Sequence, residues 1–414
     1  MAFSNHTKYK VTFLLLVAIL LLSACNQPSR VGSQNAVSLT EAFGDNVSSN
    51  YTRAFREHEF TFPRDHAAHP EFRQEWWYFT GNVLSTKGQR FGYEFTIFRF
   101  ALKPPKQEIV TPDFTISNGT VATSNTSSWR ANHIYMAHLA VTDIDNNKFY
   151  YAEKFSRDAM GLAGAGIIYR DRLEGDSKQL KVWLNDWSVE SVGDTIFPIQ
   201  LLAKSDDGFG ISLVLNQTKP VVLHGDNGLS VKGDDPGNAS YYYSITKLVT
   251  VGSVTVNEIK ASVSGYSWFD REWSTSQLDP EQQGWDWFAL QLDDNREIMF
   301  YSLRRKDGSL DLKSAGTIVE EDGTSRQLAV NDVSIDIIRY WKSPHSNITY
   351  PSGWKINILS ESLELQVTPA VEDQEMNTTI RYWEGAVKVS GKYKDNNRIV
   401  AGKGYVELAG YEPD

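Results

Sequence analysis

The sequence predicts an all-β protein built from two tandem antiparallel β-barrels. From Phe60 onward, short segments rich in Val, Ile, Thr, Tyr, Phe and Trp alternate with turn sequences such as Asp206-Asp207-Gly208 and Lys306-Asp307-Gly308. This region does not keep the apolar spacing of an amphipathic helix for more than a few turns, which argues against a parallel α/β fold. Repeated short strands favour barrels or sandwiches, and a closed barrel leaves no strand edge exposed.

An internal similarity indicates that the two barrels are related to each other. Trp76-Trp77-Tyr78-Phe79 matches Trp285-Asp286-Trp287-Phe288. If the turn of the second copy is shorter by three residues, the match continues along the next strand and ends with Arg99 opposite Arg305. Chance similarity between two aromatic strands is the alternative. We interpret the match as two homologous hairpins, one in each barrel.

The N-terminus resembles the export signal of a bacterial lipoprotein. Lys8 and Lys10 precede an apolar run of about a dozen residues, which is shorter than the ~20 that a transmembrane helix needs. Cys25, the single cysteine of the chain, stands at the expected cleavage point. We predict that a signal peptide, residues 1–24, is removed and that Cys25 is lipidated, the alternative being an unmodified cysteine after an ordinary signal. Asn26 favours the periplasmic side of the outer membrane of a bacterial cell envelope.

The rest of the chain divides into a tether and two domains. Residues 25–54 are rich in Ser, Asn, Gln and Gly and predict a flexible tether. The folded part exceeds one typical core, so we predict barrels over residues 55–248 and 249–414. Loss of two lysines with the signal changes the formal net charge from −10 to −12. An acidic chain without a stripe of Lys and Arg is a poor partner for nucleic acid, so membrane contact is expected through the lipid alone.

One short stretch of the chain places two carboxylates and a guanidinium among aromatic rings. Side chains alternate between the faces of a strand, so Trp268, Asp270 and Glu272 share one face, opposite to that of Arg271 and Trp273. In a dry cavity, desolvation and repulsion between the carboxylates raise the pKa of at least one of them, which leaves a proton donor near neutral pH. A core ion pair around Arg271 is the alternative interpretation.

These residue types suit acid catalysis. We predict that Asp270 donates a proton with Glu272 beside it, and a donor of this kind contributes ~10²–10⁴-fold in rate. Aromatic faces stabilise a developing cation, although ordinary core packing is the alternative for such rings. The aromatic residues assigned to the site are Trp268, Trp273, Trp285, Trp287 and, as a third catalytic candidate, Tyr301.

A second set of candidates lies in the predicted N-terminal barrel. Glu75 and Trp77 share a strand face, and Arg99 points into the same interior, so a buried structural ion pair between Glu75 and Arg99 is favoured over chemistry. We retain these three residues and His138 as candidate substrate contacts. The sequence has no motif that completes a tetrahedral metal site, a P-loop or a Gly-x-Ser-x-Gly elbow, so we predict neither metal nor cofactor.

Six segments together resemble the family that includes bacterial AttH proteins and carotenoid 1,2-hydratases. The segments are residues 69–78, 138–143, 223–228, 268–273, 284–288 and 382–385. The resemblance covers roughly residues 60–412 and implies two lipocalin-like (calycin-type) barrels. Arg271 stands where the family usually has a histidine between the two acids.

The resemblance and the residues together imply two main functions. The first is an envelope-anchored enzyme that hydrates an apolar isoprenoid, lipid-like or polyketide-like ligand. In the hydration that the resemblance implies, Asp270 protonates an isolated carbon–carbon double bond and Glu272 holds the water. The second is a non-catalytic carrier of a hydrophobic metabolite, because AttH-type proteins are associated with ABC-type export systems. A carbohydrate-active protein ranks last, since Asp270 and Glu272 come from one strand whereas glycosidase acids must flank the bond.

Overall fold

Twenty-five β-strands and four single-turn 3₁₀ helices form the regular structure in the described part of the computed structural model. The structure describes residues 50–104, 114–117, 120–121, 131–170 and 177–413. Within these ranges, no helix has the length and apolar character needed to span a bilayer. The 3₁₀ helices are Arg64–His66, Ala159–Gly161, Val330–Asp332 and Leu359–Glu361.

The strands belong to two sheets. The first sheet contains β1 (Gln74–Ser85), β2 (Arg90–Ala101), β3 (Phe114–Ser117), β4 (Thr120–Val121), β5 (His133–Asp143), β6 (Lys148–Arg157), β7 (Ala163–Arg170), β8 (Ser177–Leu184), β9 (Trp187–Ser191), β10 (Ile199–Lys204), β11 (Gly210–Gln217), β12 (Val222–Leu223), β13 (Leu229–Val231), β14 (Ala239–Val256) and β15 (Ile259–Ser276). The second contains β16 (Gln282–Leu292), β17 (Glu297–Arg305), β18 (Ala315–Val319), β19 (Ser325–Ala329), β20 (Val333–Lys342), β21 (Thr349–Ile358), β22 (Leu363–Pro369), β23 (Glu375–Met376), β24 (Tyr382–Tyr393) and β25 (Ile399–Ala409).

Each sheet curls into a barrel-like unit, which confirms the predicted fold of two tandem lipocalin-like barrels. The first sheet has the order β4-β3-β7-β8-β9-β10-β11-β14-β15-β1-β2-β5-β6, and β12 and β13 pair with β14. The second has the order β19-β18-β17-β16-β25-β24-β22-β21-β20, and β23 pairs with β24. The long strands are antiparallel, and β3 with β7 is a parallel pairing. We call these units the first and the second barrel.

The repeated hairpin occupies the same place in both barrels. β1 and β2 form it in the first barrel, and β16 and β17 form it in the second. In the first hairpin Phe79 is opposite Phe95, whereas in the second Phe288 is opposite Phe300. The predicted alignment beyond the turn was therefore wrong by one residue. The loops differ by four residues rather than three, because β pairing and not side-chain type decides which residues correspond.

The boundary between the barrels lies later in the chain than the sequence predicted. β14 and β15 form a long hairpin that crosses residues 248 and 249 and pairs with β11 on one side and β1 on the other. The second sheet begins only at Gln282. The prediction failed here because the hairpin buries Ile245, Leu248, Val263 and Phe269 in the first core, where they complete that barrel.

The N-terminal predictions concern mainly residues outside the described ranges. The signal peptide, Cys25 and most of the tether fall there. The last residues of the predicted tether are nevertheless described, and they pack against the first barrel: Tyr51 and Ala54 are buried, and the Thr52 amide donates a 3.0 Å hydrogen bond to the Glu71 carbonyl. The folded part therefore begins before residue 55, because these small and aromatic side chains cover apolar surface at the end of the barrel.

Strand alternation divides the side chains of the central strands between two environments. On β1 and β15, the inner side chains Trp77, Phe79, Phe269 and Trp273 belong to the first core, where Phe79 and Phe269 stack with ring centroids 4.4 Å apart. The outer side chains of the same strands face the second barrel. They pack in an interface cluster of Tyr78, Tyr242, Trp268, Trp287, Ala289, Met299, Tyr301, Leu303, Ala386 and Tyr405.

Small residues and buried polar contacts bring the two outer faces together. A Cβ at Gly92 on β2 would stand 2.5 Å from the Ala386 Cβ on β24, so the close approach of the barrels requires glycine there. At another point of the interface, Lys219 Nζ donates to Glu297 Oε2 at 2.7 Å. Both side chains are buried, so this ion pair connects the barrels away from solvent.

A buried ionic network stabilises the interior of the first barrel. Glu75, which has no exposed surface, accepts hydrogen bonds from the guanidinium groups of Arg99 and Arg271 and from the His69 amide. The Arg271 guanidinium also lies 4.0 Å from the centroid of the Trp77 ring. The pKa of Glu75 is held well below its usual value, since the two arginines outweigh the opposing effect of burial. The predicted Glu75–Arg99 pair is confirmed, with Arg271 as a further member.

We predict that Glu75→Ala lowers the free energy of unfolding by about 3–5 kcal/mol, because two guanidinium groups would stay buried without their carboxylate. Urea denaturation followed by tryptophan fluorescence measures this loss. Glu364→Ala is the control, since Glu364 pairs with Lys355 and Lys394 in solvent and its removal should change stability little. Equal stability of the two variants would contradict the role assigned to the network.

Candidate active site

A cleft of about 850 Å³, measured with its open mouth, lies between the outer faces of the two barrels. β1, β2, β14 and β15 supply one wall, and β16, β17, β24 and β25 supply the other. Half of the lining residues are aromatic, and the lining also contains three carboxyl groups and one ammonium group. The lining residues are Trp76, Tyr78, Phe98, Lys232, Tyr242, Asp270, Glu272, Gln277, Leu278, Trp285, Trp287, Tyr301, Leu303, Ile380, Tyr382 and Glu407.

The predicted alternation on β15 holds in the structure and places both acids in the cleft. Phe269, Arg271 and Trp273 point into the first barrel, so Asp270 and Glu272 point out of it toward the second. Because the side-chain period of a strand is two, the register that buries Arg271 also fixes the direction of both carboxylates.

Asp270 is held by three uncharged hydrogen-bond donors at the floor of the cleft. Tyr242 donates its hydroxyl to Oδ2 at 2.5 Å, Trp268 donates its indole N–H to Oδ1 at 2.5 Å, and Ser244 donates to the same oxygen. Trp287, from the second barrel, donates its indole N–H to the Tyr242 hydroxyl at 3.0 Å. The position of the carboxyl is therefore fixed by both barrels.

Burial raises the pKa of Asp270 to about 7, although the hydrogen bonds from Ser244, Tyr242 and Trp268 act in the opposite direction. The side chain is 3% exposed, and desolvation is the largest cause because it disfavours the charged carboxylate. Repulsion from Glu272 adds to the effect. A carboxyl with this pKa is protonated in a substantial fraction of molecules at neutral pH, as a general acid requires.

A buried histidine lies behind Asp270. His224 Nε2 is 2.6 Å from Ser244 Oγ, and His224 Nδ1 is 2.8 Å from Thr317 Oγ1 on the second barrel. Since Ser244 donates to Asp270, its oxygen accepts from His224, which assigns the proton to Nε2. Burial and the nearby charge of Lys232 lower the pKa of His224 to about 3, so the ring is neutral and orients the serine.

Glu272 has a different environment from Asp270 because a cation stands beside it. Ser240, Gln277 and Lys232 all contact its Oε1, with the Gln277 amide at 3.1 Å and the Lys232 ammonium at 3.5 Å. Lys232 Nζ also lies 3.7 Å from the centroid of the Tyr301 ring. Burial lowers the pKa of Lys232, but the charge of Glu272 and the contacts with Tyr301 together outweigh it, and the pKa is raised overall. The two residues form a buried ion pair at the edge of the cleft.

The aromatic residues predicted for the site divide between the cleft and the first core. Trp285, Trp287 and Tyr301 line the cleft, and Trp268 contacts Asp270 at its floor. Tyr301 also shares a 2.9 Å hydrogen bond with Ser230 across the barrels. The structure therefore brings together six of the predicted residues: Asp270, Glu272, Tyr301, Trp268, Trp285 and Trp287.

The other predicted contacts do not line the cleft. Glu75, Trp77, Arg99 and Trp273 lie inside the first barrel, where tight packing and the ionic network occupy them. His138 is fully buried one step behind the cleft, bonded through Nδ1 to the hydroxyl of the lining residue Tyr382 and through Nε2 to Glu153 at 2.9 Å. Side-chain alternation explains the difference, since the four residues occupy the inner faces of β1, β2 and β15.

One group of His and Asp residues in the described chain has spacing compatible with metal ligation. It consists of His58, Asp65 and His69, at the end of the first barrel and away from the cleft. Asp65 lies 3.0 Å from His58 Nε2 and 3.2 Å from His69 Nε2, and Arg271 Nη2 lies 3.2 Å from His69 Nδ1. These contacts form a hydrogen-bonded chain that continues the Glu75 network.

Comparison with known proteins identifies the family. The model of the AttH-like family matches residues 53–411. The chain belongs to the AttH-like family. No curated protein matches it. A solved AttH structure from Nitrosomonas europaea shares 30% sequence identity and a TM-score of 0.70, covering 87% of this chain and 99% of that one.

Two further solved structures share the fold of this AttH-like protein. Kievitone hydratase from Nectria haematococca aligns with 16% identity and a TM-score of 0.61, over 90% of this chain and 98% of its own. CghA, solved with Sch210972, aligns with 9% identity and a TM-score of 0.50, over 89% of this chain and 98% of its own. At these identities the likeness concerns the fold, and the fold is therefore one that a hydratase also adopts.

Several cleft residues of the AttH-like protein were missed by reasoning from the sequence. Tyr242 and Lys232 come from the β13–β14 region, Tyr382 from β24 and Glu407 from β25. The sequence did contain a signal for Tyr242. It is the middle residue of three consecutive tyrosines, so strand alternation turns its side chain to the opposite face from those of its two neighbours. Glu407 stands in an unremarkable strand, and only the packing of the barrels brings it to the cleft.

The raised pKa of Asp270 makes stability depend on pH in a predictable direction. The folded protein binds this proton more tightly than the unfolded chain, so the stabilisation is complete below about pH 4 and is lost as the pH rises to about 7. The rise in pKa from 3.8 to about 7 corresponds to about 4 kcal/mol. We expect the stability of the wild type relative to Asp270→Asn to fall by roughly this amount between pH 4 and pH 8, measured by urea denaturation. A difference independent of pH would contradict the assignment.

Proposed function

We propose that this AttH-like protein binds an apolar small molecule between its barrels and adds water to a carbon–carbon double bond of that molecule. The observation that carries the proposal is Asp270, a buried carboxyl with a pKa raised to about 7 that lines a cleft rich in aromatic side chains. Membership of the AttH-like family and the fold shared with kievitone hydratase support this class of reaction.

The aromatic lining suits an isoprenoid or similar ligand. Trp285, Trp287 and Tyr301 provide π faces, which attract positive charge by up to about 2 kcal/mol each when water is excluded. The same surfaces bind an apolar skeleton before reaction. The cleft therefore favours both an apolar ground state and a cationic intermediate.

The reaction begins at Asp270. Its proton moves to one alkene carbon, the π electron pair forms the new C–H bond, and the other alkene carbon becomes positively charged. A water oxygen then donates a lone pair to that carbon. Glu272, whose three hydrogen-bonding or ionic contacts all reach Oε1, is proposed to position this water through its other oxygen. Because Lys232 balances the charge of Glu272, positioning rather than proton abstraction suits this residue.

Non-catalytic transport is the second candidate function. The aromatic lining of the cleft also suits a carrier that releases its ligand unchanged. The lipid anchor at Cys25, the position in the cell envelope and the association with an ABC-type export system remain predictions that accompany either function.

We predict that Asp270→Asn folds and retains ligand but loses ~10²–10⁴-fold in turnover, because the amide keeps the shape and has no acidic proton. The full-length wild type and variant, each incubated with apolar extract of the host envelope, are compared by native mass spectrometry of the bound and released species. Release of a species with one added water by the wild type alone would support hydration. Release of the unchanged species by both proteins would support the carrier and contradict catalysis.

Asp286→Asn is the matched control for this experiment. Asp286 is also a buried aspartate, but Arg304 Nη1 contacts it at 2.8 Å, and it does not line the cleft. We expect its turnover to stay within about threefold of the wild type if the folded fraction is the same. Trp287→Ala should weaken ligand binding in both functions, because it removes apolar contact area and the donor to Tyr242.

A further inference from the structure

The buried carboxyl groups of this protein fall into two chemical classes. Glu75, Glu297, Asp286 and Glu272 each have an arginine or lysine beside them. Asp270, Glu94, Glu384 and the partly buried Glu407 are instead held by uncharged donors. Burying an ionised carboxylate without a cation is costly, so burial favours the protonated form of these four groups. Of the four, Asp270 and Glu407 line the cleft, where a ligand can reach them.

Glu407 occupies the wall of the cleft that the second barrel supplies. It lies on β25, directly opposite Trp287 of β16 in the sheet, and its Oε1 accepts a 3.1 Å hydrogen bond from the Trp285 indole. Trp287 in turn reaches across to Tyr242, which donates to Asp270. Glu407 and Asp270 are therefore carboxyl groups from different barrels that face one cleft, with aromatic rings between them.

We infer that Glu407 is a second catalytic carboxyl, which accepts the proton released by the attacking water. This inference rests on the proposed hydration and completes its proton balance. After Asp270 has protonated the alkene and water has bonded to the cationic carbon, the oxygen carries an extra proton. Glu407 takes that proton, and the electron pair of the O–H bond remains on oxygen as a neutral alcohol. Transfer of the proton from Glu407 back to Asp270 through water in the emptied cleft restores the starting state.

Electrostatic repulsion couples the two carboxyls. Burial raises the pKa of Glu407 to about 8, the hydrogen bond from Trp285 lowers it, and the charges of Asp270 and Glu272 raise it further. Two carboxyls that repel each other share protons as a unit, so the reactive molecules are those in which Asp270 holds the proton and Glu407 is ionised. The other titratable side chains lining the cleft are Glu272, Lys232, Tyr78, Tyr242, Tyr301 and Tyr382.

The arrangement also explains why the proton donor and the proton acceptor come from different strands. Asp270 and Glu272 project from the same face of β15 and approach a ligand from one side. With the donor and the acceptor on different walls, one carboxyl can protonate an alkene carbon while the other takes a proton from the attacking water oxygen. Each barrel then supplies one carboxyl, and the reaction requires both.

A tertiary amine tests the inference without knowledge of the natural substrate. N,N-Dimethylgeranylamine is protonated near neutral pH and imitates a cationic centre on an isoprenoid chain. Its binding to the full-length protein at about pH 6 is measured by calorimetry in buffers of different ionisation enthalpy, which also counts the protons released. We expect the wild type to release protons on binding, because the bound cation favours ionised carboxylates.

Glu407→Gln and Asp270→Asn are each expected to bind the amine at least ~10-fold more weakly and to release fewer protons than the wild type. Uncharged geranyl methyl ether should bind equally to all three proteins, which shows that the cleft is intact. Asp286→Asn is the matched control. Asp286 is a buried carboxyl with a raised pKa that is paired with Arg304 and does not line the cleft, so its variant should behave like the wild type.

The outcomes separate this inference from the proposed function. If Asp270→Asn weakens amine binding and Glu407→Gln does not, the role of Glu407 is overturned while the role of Asp270 stands. If neither variant differs from the wild type, both proposals fail. If Glu407→Gln also fails to bind the ether, its cleft is not intact and only the wild-type measurement can be interpreted. Binding of the amine to the wild type without proton release between pH 6 and pH 8 then overturns the inference.

Discussion

The buried contact between Arg271 and Glu75 sets the direction of the neighbouring side chains on β15. Arg271 is fully buried and can be accommodated only on the inner face, where Glu75 and the ring of Trp77 surround its guanidinium group. A shift of one residue in the register of β15 would carry this charge to the interface between the barrels and turn Asp270 inward. The ionic network in the first barrel therefore does more than stabilise a core. It holds the two acids of the same strand toward the cleft.

The cleft belongs to neither barrel. The barrel interiors are filled mainly by apolar and aromatic side chains, and the cleft is formed by the outer faces instead. Close contact at Gly92 and Ala386, the buried Lys219–Glu297 pair and the contact of Trp287 with Tyr242 hold these faces in one arrangement. Pairing two similar barrels creates a dry space with independent walls, and each wall can carry its own chemistry.

The same physical force has opposite results at different carboxyls. Desolvation acts on Glu75 and on Asp270 alike, but two guanidinium groups overcome it at Glu75 and lower the pKa, whereas the donors around Asp270 do not. Hydrogen bonds from hydroxyl and indole groups orient a carboxyl without supplying a full charge. Asp270 and Glu407 differ from Glu75 in this way, and both line the cleft.

The sequence alone determined the two-barrel fold and the alternation of β15 that turns Asp270 out of the first barrel, because side-chain periodicity, turn residues and strand length are local properties of the chain. It also predicted the Glu75–Arg99 pair from the faces of two neighbouring strands. Local pattern could not place the boundary at residue 248 correctly, since the long β14–β15 hairpin completes the first core only through contacts with distant strands. Nor could it separate Trp77 and Trp273, which lie inside a barrel, from Trp285 and Trp287, which line the cleft. Tertiary structure alone brought Glu407, Tyr242 and Lys232 to that cleft, because burial and pKa depend on which surfaces meet, and the meeting of two barrels is not encoded in any single strand.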